Sequence, residues 1–98
     1  MDSTDVNCYW GFAHKALDYA FANERSNFIK EIDRFNGFCR RNNLQPIIHP
    51  DILFEYLIGS PKRRSYYRQR INFYLKKKTI VPLQSVEQDF IEGRRPHS

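Results

Sequence analysis

The side chains able to do chemistry are unevenly distributed along this chain. Positions 62–78 carry eight basic residues and no acidic one: Lys62, Arg63, Arg64, Arg68, Arg70, Lys76, Lys77 and Lys78. Residues 1–61 hold six basic and eight acidic side chains, and residues 79–98 hold two basic and three acidic. The net charge of +5 therefore originates in one segment, and the remainder is slightly acidic. A concentrated cationic tract creates a local field that attracts polyanions, whereas an even spread serves solubility alone. Tyr66, Gln69 and Phe73 are interleaved with these cations. Lys and Arg neutralise phosphates, and Tyr adds a hydroxyl or a stacking face.

Other chemistry finds little footing. His14, His49 and His97 are scattered, and neither a Gly-rich phosphate loop nor an H-E-x-x-H motif is present. The pairs Cys8/His14 and Cys39/His49 lack the spacing of a structural zinc site. Cys39 falls on an apolar stripe and reads as a core residue, not as a nucleophile. Asp51 and Glu55 share one helix face, which a helix-start charge and a solvated surface explain better than acid–base work. The sequence implies no enzyme, no catalytic residue, no metal and no cofactor. Two cysteines make no disulfide framework, so a reducing cytoplasm is the default compartment. The opening MDSTDVNCYW is acidic and polar, unlike a secretory leader. No apolar run approaches the roughly 20 residues of a membrane span.

The elements that must position these groups read as helices. Ninety-eight residues allow one small domain, which excludes two-domain enzymes, large barrels and doubly wound nucleotide folds. A hydrophobic content of 41% supports a packed core. The expected class is all-α, a single bundle of four to five helices with its core over about 6–92 and a frayed tail at 93–98. Ser3, Thr4 or Asp5 caps a first helix over about 6–22, whose Ala13, Ala16, Leu17 and Ala20 allow close helix approach. Its surrounding aromatics imply burial on more than one side.

A second helix over about 26–42 places Phe28, Ile32, Phe35 and Cys39 on one stripe, with Phe38 outside it and needing its own contact. Gly37 in its interior implies a close neighbour or a local weakness of about 1 kcal/mol. Asn42 and Asn43 end it, since Asn tolerates the left-handed conformation. Pro50 or Asp51 opens a short apolar helix through Ile58, with Gly59 as its stop. Ser60 and Pro61 then form an N-cap and first-turn signal for the basic helix, which extends to about Lys78. Ile80–Leu83 reads as extended, and SVEQDFIE as a last short helix.

On the basic helix, Tyr67, Ile71, Tyr74 and Leu75 form the core-facing stripe. Lys62, Tyr66, Gln69, Arg70, Phe73, Lys76 and Lys77 lie on the other side. Arg64, Arg68 and Lys78 project toward the apolar side and must snorkel or find a carboxylate. Like-signed neighbours such as Arg64 and Arg68, one turn apart, repel each other. That pattern suggests an anionic partner over a face serving stability alone. Helix, tight turn with glycine and basic helix also have the outline of a helix-turn-helix, an outline any helical hairpin shares.

The stretches FIKEIDRFNGFCRRNNL, HPDILFEYLIGS and KRRSYYRQRINFYLKKKTIVP resemble the core-binding, SAM-like helical domain of phage-type tyrosine recombinases and integrases. Phe35, Phe38, Tyr56, Leu57, Arg68, Phe73, Leu75, Ile80 and Pro82 carry the likeness, over about residues 26–83. It implies a helical bundle that clamps duplex DNA through its backbone, with the basic helix on the DNA side. The family's catalytic domain has no counterpart in these residues, so no strand-transfer residue is carried over. The expected function is a non-catalytic DNA-binding module of phage or mobile-element type. Its nucleic-acid-binding residues are Lys62, Arg63, Tyr66, Gln69, Arg70, Lys76 and Lys77. The alternative is a small adaptor or inhibitor, of viral or mobile-element origin, that applies the same basic and aromatic face to an acidic protein. A membrane partner is not expected, because the apolar side of the helix is needed for the core.

Overall fold

The computed structural model describes residues 3–83 and is all-α, with four helices among the described residues. They are α1 (Ser3–Phe21), α2 (Arg25–Arg41), α3 (Pro50–Ile58) and α4 (Pro61–Lys77). The expected helix at SVEQDFIE and the tail at 93–98 lie outside the described residues. Helix α1 starts earlier than its sequence suggests. Asp5 therefore sits in the first turn, where its charge complements the helix dipole, instead of capping it.

α1 is the central element. It packs against both α2 and α4, while α3 closes one end by touching all three others. Burial on two sides explains its composition. Ala13, Ala16 and Ala20 are all buried and let backbones approach, and Tyr9, Trp10 and Leu17 fill the space between. Tyr9 meets Trp10 edge-on with ring centroids 4.8 Å apart, and Phe35 of α2 at the same distance. Phe38 finds the contact its position demanded, against Tyr9 and Phe12. Across α2 and α3, Phe28 packs on Phe54 at 5.2 Å.

Helix ends follow one device used three times. Asn23, Asn43 and Lys78 each adopt a left-handed conformation, with φ of 57°, 57° and 55°. In each case the following residue's N–H returns to a carbonyl of the last turn: Glu24 to Tyr19, Leu44 to Cys39 and Thr79 to Tyr74. These bonds satisfy carbonyls that the helix end would otherwise orphan. Gly59 ends α3 as expected, but by a different device. It stays right-handed at φ −70°, and what it supplies is room. A Cβ there would lie 3.1 Å from the Arg63 guanidinium and 3.3 Å from the Glu55 carbonyl.

The loop between α2 and α3 is held by one buried side chain. Asn36 donates from Nδ2 to the Ile47 carbonyl at 2.9 Å and accepts the Ile47 N–H on Oδ1 at 2.8 Å. A carboxamide is the one neutral side chain that offers donor and acceptor at this spacing, so it substitutes for a strand partner. Arg25 ties α2 to α3 by reaching Asp51 at 2.8 Å and Glu55 at 2.7 Å. The carboxylate pair is thus a fork for one guanidinium.

The close neighbour expected at Gly37 does not come from another helix. An added Cβ would meet only the tip of Arg41, at 3.4 Å, and at Gly11 it would meet nothing within 4 Å. Gly37→Ala and Gly11→Ala should each stabilise the fold by up to about 1 kcal/mol, seen as a higher denaturation midpoint. Asn36→Ala should lower stability by about 2–4 kcal/mol in the same measurement, because it strands both Ile47 groups in the interior.

Candidate nucleic-acid interface

Helix α4 begins as the sequence indicates. Ser60 is extended and its Oγ accepts the Arg63 N–H, with Pro61 in the first turn. Tyr67 and Ile71 are buried, and Tyr74 stacks on Trp10 of α1 at 5.4 Å with planes 12° apart. Beyond the helix, the Trp10 indole donates to the Thr79 carbonyl at 2.7 Å and the Tyr9 hydroxyl to the Val81 carbonyl at 2.9 Å. The middle of α4 and the segment after its C-terminus are therefore anchored to the core.

Its cations divide by chemical type. Arg63 lies over Tyr56 at 4.2 Å and donates to the Tyr56 carbonyl at 3.0 Å. Arg64 donates to the Leu57 carbonyl at 3.1 Å and stands 5.4 Å from the Phe21 ring. Together they cap the C-terminal carbonyls of α3, where the helix dipole favours positive charge. Arg68 lies over Phe21 at 4.2 Å and pairs with Asp18 at 2.8 Å, so it finds the carboxylate its position required. Asp18 also faces His14 at 3.5 Å.

Arg70 is the correction. Expected on the outward face, it is 8% exposed. Its guanidinium lies 4.9 Å from the Phe73 ring and 4.8 Å from the Tyr74 ring, and it donates to the Tyr74 hydroxyl at 2.6 Å. On the wheel Arg70 stands at the flank of the apolar stripe, and its stem is long enough to turn back across it. Arg63, half-buried in its capping role, is only partly available.

The lysines do the opposite. Lys62, Lys76, Lys77 and Lys78 are all exposed, and among the described residues no carboxylate pairs with any of them. Lys77 additionally stands over the Phe73 ring at 5.0 Å. Gln69 is exposed beside them and Tyr66 is half-buried, so five of the seven expected site residues share the outer side of α4. Ser65 and Asn72, which the sequence reading passed over, are exposed on the same side. Pro61, Lys62, Ser65, Tyr66 and Gln69 line a shallow open depression there. No family model, curated protein or solved structure matches this chain.

The alternative sites are chemically thin. No cluster of three or more His, Cys, Asp or Glu side chains fit to hold a metal occurs among the described residues. An apolar cleft of about 260 Å³ is lined by Gln45, Ile47, Ile48, His49, Ile52, Leu53 and Leu83, with His49 the one titratable side chain among the described residues that line it. Cys39 is fully buried, and burial pushes its thiol from 9.0 up to about 11. Burial likewise raises Tyr9 above its ordinary 10.0.

Cys8 is exposed, so a thiol reagent should modify one cysteine in the native protein and two after unfolding. Since the unfolded chain loses the Cys39 proton first, stability should fall as pH rises from 9 to about 11. The thiol contributes at most about 1.4 kcal/mol per pH unit. Denaturation midpoints across that range check the slope, and Cys39→Ala should reduce it most between pH 9 and 10, below the range in which Tyr9 adds a slope of the same sign.

Proposed function

We propose that this protein is a non-catalytic DNA-binding module that lays the outer side of α4 against the duplex backbone. The observation that carries the reading is the row of exposed lysines on a helix tied to α3 near its start and to α1 beyond its end, with no described carboxylate paired to them. Ammonium groups in water release condensed counterions from phosphate when they bind it, and that release drives association. The stacked arginines keep their charge and add to the field behind the row. This use of a basic helix agrees with the likeness of residues 26–83 to the core-binding domain of tyrosine recombinases. Among the described residues no helix is long and apolar enough to cross a membrane.

The contact set is Lys62, Tyr66, Gln69, Lys76 and Lys77, joined by Lys78. Arg63 assists from the edge, and Arg70 belongs to the packing. A second reading, docking on an acidic protein, draws on Phe73, which is 40% exposed within the basic face. Aromatic side chains beside cations are common anchors of protein interfaces.

Binding to duplex DNA should weaken with salt at a log–log slope of about −3 to −4 if the four lysines each neutralise one phosphate. Lys62→Glu combined with Lys76→Glu and Lys77→Glu should abolish retardation of duplex in a gel while the circular dichroism spectrum stays helical. Absence of duplex binding by the unsubstituted protein at low salt would refute the proposal. A stoichiometric complex with an acidic protein would then favour the second reading.

A further inference from the structure

The outer row of α4 is ordered along its length in a way that phosphate binding alone does not require. Lys62, Gln69 and Lys76 recur every seven residues, so they stay within about 40° of one line on the helix surface. Ser65 precedes Gln69 by about one turn and Asn72 follows it by about one turn, and all three are exposed. At 1.5 Å per residue the two lysines stand about 21 Å apart, with Gln69 midway. The row is thus cationic at its ends and neutral in its middle, where every side chain in it carries a hydrogen-bonding group.

Counterion release gains nothing from an amide, which can only hydrogen-bond to what it meets. Carboxamides instead offer a donor and an acceptor side by side. That pair matches the N6 donor and N7 acceptor that adenine presents in the major groove. The groove is about 12 Å wide and admits one helix, and in a straight helix tilted across it, lysines about 21 Å apart along the axis come to the phosphates on either wall. Phe73, exposed next to Asn72, offers an apolar edge to the methyl group of a thymine.

We propose that α4 reads base edges in the major groove of duplex DNA, with Gln69 and Asn72 recognising adenine and Lys62 and Lys76 holding the flanking phosphates. The inference rests on the duplex-DNA reading above and adds sequence preference to it.

The full chain is selected against a pool of random duplexes, then titrated with the enriched duplex and with versions carrying 7-deazaadenine, which lacks N7. The expected result is an enriched site containing A·T pairs. Gln69→Ala and Asn72→Ala should each reduce preference for that site over random duplex by about ten- to a hundredfold, with the salt slope unchanged. The 7-deaza duplex should weaken the unsubstituted protein and leave the variant that lacks the matching amide unaffected. Lys62→Ala and Lys76→Ala should weaken all duplexes alike and reduce the slope by about one each. Both amides are exposed, so unchanged thermal midpoints confirm that the variants fold. No enriched site, or a preference that survives both alanine substitutions, overturns the inference and leaves backbone binding standing. Failure to bind any duplex overturns both.

Discussion

A segment with eight cations and no carboxylate can join a core only if its charges are sorted between packing and solvent. Arginine and lysine perform that sorting here through different hydration. The guanidinium is planar and weakly hydrated, so it can lie on a ring with its edge still bonded, whereas the ammonium holds its water tightly. All four arginines of α4 accordingly lie over aromatic rings: Tyr56, Phe21, Phe73 or Tyr74. All four lysines from 62 to 78 are exposed. The aromatic richness of the chain and its basic tract are therefore one design. Replacing these arginines by lysine would keep the charge and lose the stacking and the carbonyl caps on α3.

Much of the fold was legible because local chemistry and global packing agree. The Ser60–Pro61 start, the asparagine stop after α2 and the small-residue stripe of α1 are local signals that the tertiary structure uses unchanged. Angular bookkeeping even anticipated that Phe38 needed a separate contact and that Arg68 had to snorkel or find a carboxylate, of which it does the second. The same bookkeeping misplaced Arg70, because a wheel assigns a direction to Cα–Cβ and ignores the reach of a long side chain. Gly59 does stop α3, but by a device the sequence does not show. Glycine at a helix end usually signals a left-handed turn, whereas here it makes room for the Arg63 guanidinium, a partner four residues on. The Asn36–Ile47 clamp was invisible, since nothing in sequence tells a buried amide with a loop partner from a polar position on an exposed face.

For the candidate site, the tract of charge was legible and its internal order was not. Counting cations gave the segment, but the sequence does not show which charges the core will claim. Once the arginines are removed from the outer surface, what remains is a simpler object. It is a lysine at one end, amides and a hydroxyl in the middle, and lysines at the other end.

The placement of Lys78 bears on whether that surface serves stability. The other left-handed helix ends use asparagine, which tolerates the conformation, whereas Lys78 adopts φ 55° with a full side chain. The left-handed region costs an ordinary L-residue about 1–2 kcal/mol, a cost glycine escapes. A lysine there does gain from the dipole at the C-terminus of α4, but such exposed contributions are about 0.3–1 kcal/mol and two lysines already precede it. Three adjacent ammonium groups also repel one another. The folded state thus accepts local strain and repulsion at the point where Trp10 and Tyr9 hold the chain most firmly. On the proposed reading, an anchored backbone whose lysines have no carboxylate among the described residues meets its ordering cost during folding and not at the moment of binding.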